Sequence, residues 1–104
     1  MNYELGRDRD IAALLWKNPL LAPPSATARN KILWVSRVPV NGSALLIDAQ
    51  RMIGSRPVGA VVRHRVDGGP GPSLVNLPAG CWRLTLHWSG HSDSLDVRYV
   101  PNTT

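Results

Sequence analysis

Gly80-Cys81-Trp82-Arg83-Leu84-Thr85-Leu86-His87-Trp88-Ser89-Gly90-His91-Ser92-Asp93-Ser94-Leu95-Asp96-Val97-Arg98-Tyr99 is the stretch on which the fold turns. Trp82, Leu84, Leu86 and Trp88 alternate with Arg83, Thr85 and His87, and Leu95, Val97 and Tyr99 alternate with Asp96 and Arg98. Side chains along a strand point to opposite faces, so alternation over two successive runs predicts two strands, each with one apolar face. Ser89-Gly90-His91-Ser92 fits a four-residue turn. With Trp88 opposite Asp93, the expected register sets Leu86 against Leu95, Leu84 against Val97 and Trp82 against Tyr99, and it also sets Arg83 against Arg98 with Asp96 on its diagonal.

Upstream, Lys31–Val38 and Ala44–Met52 flank Asn41-Gly42, a turn signal because both residues tolerate positive φ. This predicts a second hairpin. Val58, Ala60, Val62 and Val66 alternate with Arg63, Arg65 and Asp67, which predicts a further one-sided strand, and residues 74–77 add a short one. Residues 1–30 differ: Arg7-Asp8-Arg9-Asp10 precedes the apolar run Ile11–Trp16, and Pro19, Pro23 and Pro24 follow. That stretch is expected to be an N-terminal arm, its apolar run either a short helix capped by Asp10 and stopped by Pro19 or a short edge strand. The sum is an all-β, antiparallel β-sandwich of about six to seven short strands, the N-terminal edge strand being the seventh, in a single domain whose sandwich covers residues 31–101 after the arm.

Composition agrees, since 104 residues with 43% hydrophobic and 18% charged side chains can bury one core and are not those of a disordered chain. Phe is absent, so four Trp and two Tyr are the large aromatics expected to mark the core. One Cys excludes an intrachain disulfide and the multi-cysteine zinc patterns. No leading signal segment is visible, and no apolar run reaches the ~20 residues of a membrane-spanning helix.

Asn30-Lys31-Ile32-Leu33-Trp34-Val35, Gly71-Pro72-Ser73-Leu74-Val75, Gly80–Trp88 and Asp96-Val97-Arg98-Tyr99 together resemble a small Ig-like domain family of actinobacterial secreted proteins and lipoproteins. The likeness covers roughly residues 14–100, and Gly80-Cys81-Trp82-Arg83-Leu84-Thr85-Leu86 is its most specific part. It implies an Ig-like sandwich in a secreted or cell-envelope protein, although the chain lacks the family's leading signal and lipid-attachment cysteine. The family carries no function that could be transferred.

The chemistry-bearing side chains are few. Cys81 and His87 share a strand face but stand about 20 Å apart along it, too far for a nucleophile–base pair. His87 and His91 straddle the turn and, with His64 and Asp93, are the candidates for a metal site, but they lack an enforced facing. Ser89, His91 and Asp93 crowd a triad's residue types into one turn without an oxyanion hole. Gly68-Gly69-Pro70-Gly71-Pro72 loses backbone donors to its prolines and leads into a strand, so it is no phosphate loop. Asp93 and Asp96 do not make a calcium cage in a chain with seven acids.

The expectation is therefore a non-enzymatic chain without catalytic residues, metal or other cofactors: a binding module of the bacterial envelope, its partner a protein or an anionic envelope component. The net charge of +5 is concentrated in residues 29–65, where Arg29, Lys31, Arg37, Arg51, Arg56, Arg63 and Arg65 face a single acid, Asp48. Arg63, Arg65, Arg83 and Arg98 are the expected anion-binding residues, because guanidinium groups fork onto phosphate and carboxylate. The alternatives are a basic nucleic-acid-binding protein, suggested by the pI near 10.4, and a small metal-binding protein using histidines at a hairpin tip. Trp34, Trp82 and Trp88 fall in core patterns and so offer single strands no stacking platform.

Overall fold

The computed structural model describes residues 2–25 and 29–102. Strands β8 (Gly80–Trp88) and β9 (His91–Pro101) form the expected hairpin, but its register lies two residues from the expected one. Trp88 stands opposite His91, Leu86 opposite Asp93, Leu84 opposite Leu95 and Trp82 opposite Val97. The turn is the two-residue Ser89-Gly90, with φ of 50° and 78°. Two positive φ values give the tight turn whose twist matches the flanking strands, and that turn prevails over a four-residue loop. The correction removes the Arg83–Arg98 opposition: Asp96 faces Arg83 directly, and Arg98 faces Cys81.

Two sheets build the sandwich. The larger has the order β3-β9-β8-β5-β6, adding β3 (Leu20–Ala22), β5 (Leu45–Ile53) and β6 (Arg56–Val66) to the hairpin. The smaller has the order β1-β2-β4-β7, from β1 (Asn2–Leu5), β2 (Ile11–Leu15), β4 (Lys31–Ser36) and β7 (Pro72–Leu74). All pairs are antiparallel except β3 with β9, which are parallel, Leu20 opposite Tyr99. The chain is thus all-β and sandwich-like, with nine strands and no helix among the described residues. No helix there is long and apolar enough to cross a membrane.

The extra strands come from the stretch expected to be an arm. β1, β2 and β3 enter both sheets, and β2, neither helix nor edge, lies inside the smaller sheet between β1 and β4. Met1 and residues 26–28 of that stretch lie outside the described residues. The expected hairpin around Asn41-Gly42 does not form, because β4 and β5 belong to different sheets. Residues 37–44 cross between them, and Asn41 makes a local turn in which its Oδ1 accepts from the Ser43 amide at 2.9 Å. β5 instead turns back through Gly54-Ser55 to β6.

The core lies between the sheets. Ile11, Ala13, Leu15, Ile32 and Trp34 of the smaller sheet meet Leu45, Ile47, Ala49, Trp82, Leu84, Leu86, Trp88, Leu95, Val97 and Tyr99 of the larger, and Val75 and Leu77 are buried beyond β7. Three of the four tryptophans are buried with their indole N–H satisfied: Trp34 donates to Ser73 Oγ at 3.1 Å, Trp82 to the Pro78 carbonyl at 2.8 Å and Trp88 to Ser36 Oγ at 2.8 Å. Trp16 and Tyr3, expected in the core, are exposed. β6 was read as one-sided, yet only Val66 of it is buried, because the strand forms the sheet's edge beside β5.

Candidate functional site

The arginines expected to bind an anion share one sheet and project from its outer face, but they do not act as one cluster. Arg63 Nε lies 3.4 Å from Asp48 Oδ1, Arg65 Nε lies 2.7 Å from Asp67 Oδ1, and Arg83 Nε lies 3.0 Å from Asp96 Oδ1. Hydrogen bonding to Asp96 holds the Arg83 guanidinium above its ordinary pKa. Arg98, with Cys81 opposite, is separated from Arg63 by roughly 20 Å, three strand spacings across and four residues along. Three of the four guanidinium groups thus each meet a carboxylate, and Arg98 does not.

His87 lines one surface cleft with His91 and another with His64, whereas Cys81 lines a third with no histidine. His87 Nε2 lies 3.9 Å from Asp48 Oδ2 on the outer face, while His64 stands opposite Ile47 on the inner one. His91 Nε2 contacts the Pro39 carbonyl at 3.1 Å, and its ring tilts against Trp88. Among the described residues no three His, Cys, Asp or Glu side chains come together as a metal site would require. Cys81 is an exposed free thiol.

Asp93, read as a turn residue, is instead buried on the inner side of β9. Its carboxylate accepts from the amides of Asp8 at 2.9 Å, Asp10 at 3.0 Å and Ser94 at 2.8 Å. Gly6 packs so closely that a Cβ there would lie 2.0 Å from Asp93 Oδ2. Asp93 therefore ties the β1–β2 loop to the larger sheet and is committed to structure. Asn30, fully buried, does comparable work: its Oδ1 accepts from the Leu21 amide at 2.8 Å, and its Nδ2 donates to the Leu21 carbonyl and to Asn76 Oδ1.

Large apolar side chains are exposed on both sheets, Leu46, Ile53, Val61 and Val62 on the larger and Tyr3, Val35 and Leu74 on the smaller, and on the smaller they share one outer face. Because Ile11, Ala13, Leu15, Ile32 and Trp34 point inward, the register turns Tyr3 and Leu5 of β1, Ala12 and Leu14 of β2, Lys31, Leu33 and Val35 of β4, and Pro72 and Leu74 of β7 outward. Lys31 is the one charge among those outward strand positions. Its ammonium sits 5.0 Å above the ring of Trp16, just past the end of β2. Tyr3 is 63% exposed, Trp16 49% and Val35 40%, while Leu5, Leu14 and Leu33 are half-buried. With strands about 4.8 Å and rows about 6.8 Å apart, the face covers on the order of 300 Å², the low end of the range for the largest apolar patch on a monomer, a patch that is often functional. A solvated sheet normally alternates apolar inside with polar outside. This sheet is apolar on both sides.

Compared with known proteins, the chain matches no family model, no curated protein and no solved structure.

Proposed function

We propose that this chain is a non-catalytic binding module of the bacterial cell envelope that docks through the outer face of its smaller sheet. The observation that carries the reading is the two-sided apolar character of that sheet, which leaves Tyr3, Trp16, Val35 and Leu74 in water. Solvent exposure of such a face costs free energy that docking recovers, at about 25 cal/mol per Å² of apolar surface removed from water. The likeness of residues 14–100 to the Ig-like family of actinobacterial secreted proteins and lipoproteins supports the envelope setting and an Ig-like classification of the sandwich. A nucleic-acid reading is less well supported, since Arg63, Arg65 and Arg83 are paired with carboxylates and Trp34, Trp82 and Trp88 are buried.

The test is site-specific photocrosslinking in cells that make the protein, with a photoreactive residue at Val35 and, separately, at Ser94 on the outer face of the larger sheet. Adducts to a cellular component at Val35 and none at Ser94 support the reading. Adducts at Ser94 alone, or at neither site, overturn it.

A further inference from the structure

We infer that the outer face of the smaller sheet lies against an anionic lipid surface. This inference rests on the docking reading above and names the partner. Three features select lipid.

The first is the placement of the aromatics. Leu14 and Leu33 hold the middle of the face, whereas Tyr3 lies on the edge strand β1 and Trp16 lies past the end of β2. Anchors of protein–protein interfaces concentrate at the centre of the patch. Aromatic rings with a polar tip around an aliphatic middle suit the boundary between headgroups and acyl chains.

The second is charge. Lys17 and Lys31 flank Trp16, and Arg29 stands two residues before Lys31; none of these cations has a carboxylate within ion-pair distance among the described residues. Arg63, Arg65 and Arg83 of the larger sheet are paired. Lys17, Arg29 and Lys31 thus border the apolar face, where each basic group near an anionic leaflet contributes about 1 kcal/mol; Arg51, Arg56 and Arg98 of the larger sheet are also outside the ion pairs of the described residues, but they lie away from this face. The opposite end is mixed, with Arg9 and Arg37 beside Asp8 and Asp10 of the β1–β2 loop.

The third is area. A second copy laid face to face would bury on the order of 600 Å² in total, below the ~1,200 Å² of a stable interface, and would press Lys31 and its neighbouring cations against their counterparts. A fluid lipid surface requires neither a minimum area nor a matching shape.

The experiment mixes the full chain with vesicles of phosphatidylcholine alone and of equal parts phosphatidylcholine and phosphatidylglycerol, at low and at moderate salt. Binding is read by co-sedimentation and by tryptophan emission. The phosphatidylglycerol vesicles bind the protein and shift its emission to the blue, salt weakens the binding, and phosphatidylcholine alone binds it far less. Trp16 is the exposed tryptophan, so Trp16→Leu removes the shift. Lys17→Gln with Lys31→Gln lowers partitioning about thirtyfold, two basic contributions. Val35→Asp abolishes it, Leu74→Ser serving on the same face if Val35→Asp impairs folding. Arg63→Ala with Arg65→Ala leaves partitioning unchanged.

Absence of binding to phosphatidylglycerol vesicles at low salt overturns the inference. So does binding that responds to the Arg63 and Arg65 changes but not to those on the smaller sheet, or a dimer in sedimentation equilibrium that Val35→Asp dissociates. If the vesicles fail while a crosslinker at Val35 captures a protein, the lipid assignment falls and the docking reading stands.

Discussion

Asp93 shows how one side chain can change meaning between sequence and structure. Placed in a turn it is a triad or calcium candidate; inside the sandwich its carboxylate collects the amides of Asp8, Asp10 and Ser94 against Gly6. Asp93→Ala leaves those donors without their acceptor and is expected to cost about 2–4 kcal/mol in denaturant melts, several times a surface substitution. Gly6→Ala is expected to destabilise as well, since the new Cβ meets the carboxylate. Tyr99 supplies the pH dependence. Its hydroxyl donates to the Val75 carbonyl inside the core, and burial pushes its pKa upward from the usual value near 10. The folded state keeps the proton while the unfolded state releases it. The Tyr99 contribution is therefore full below pH 10 and is lost as pH rises above it, by up to about 1.4 kcal/mol per pH unit until the folded phenol ionises. Equilibrium unfolding at alkaline pH should show this fall, and Tyr99→Phe should lessen it while lowering stability at neutral pH.

Among the elements, β8 and β9 were legible because alternation is a local property, yet their register was not. A slip of two residues keeps every side chain on its face, so Leu84 meets an apolar partner whether Val97 or Leu95 stands opposite. Only the turn decides between them, through positive φ at Ser89 and Gly90. β2 was illegible for a different reason. Ile11-Ala12-Ala13-Leu14-Leu15-Trp16 has no period because both faces of its sheet are apolar, and an unbroken apolar run reads equally as helix or buried strand. β6 read as one-sided although its edge position leaves Val61 and Val62 in water. The same sheet geometry separates two substitutions on β4. Val35→Thr, on the outer face, should change stability by about 0.5 kcal/mol or less, whereas Ile32→Ala, on the buried face, should cost about 2–5 kcal/mol. Similar costs for both in urea melts would mean that the outer face is covered within the isolated chain.

At the scale of the whole molecule, the two sheets divide the work. The larger pairs its outward Arg63, Arg65 and Arg83 with Asp48, Asp67 and Asp96, and Arg98 stands opposite Cys81. The smaller leaves its outward leucines and valine without polar relief and its bordering cations without carboxylates. The basic bias of residues 29–65 and the nearness of Asp96 to Arg83 were visible in sequence, but the pairing of Arg63 with Asp48 and of Arg65 with Asp67 was not, because it depends on strand register and turn geometry. The docking face was also hidden, since it is assembled from β1, β2, β4 and β7, whose adjacency crosses most of the chain. The most direct measurement places a nitroxide on Val35→Cys or on Ser94→Cys, in a Cys81→Ser background that removes the exposed native thiol, and reads accessibility to a water-soluble relaxation agent with and without phosphatidylglycerol-containing vesicles. The label at position 35 should lose that accessibility and gain contact with lipid-dissolved oxygen while the label at 94 is unchanged; a label at 35 that stays as wet as before, with the protein bound, would contradict docking through this face.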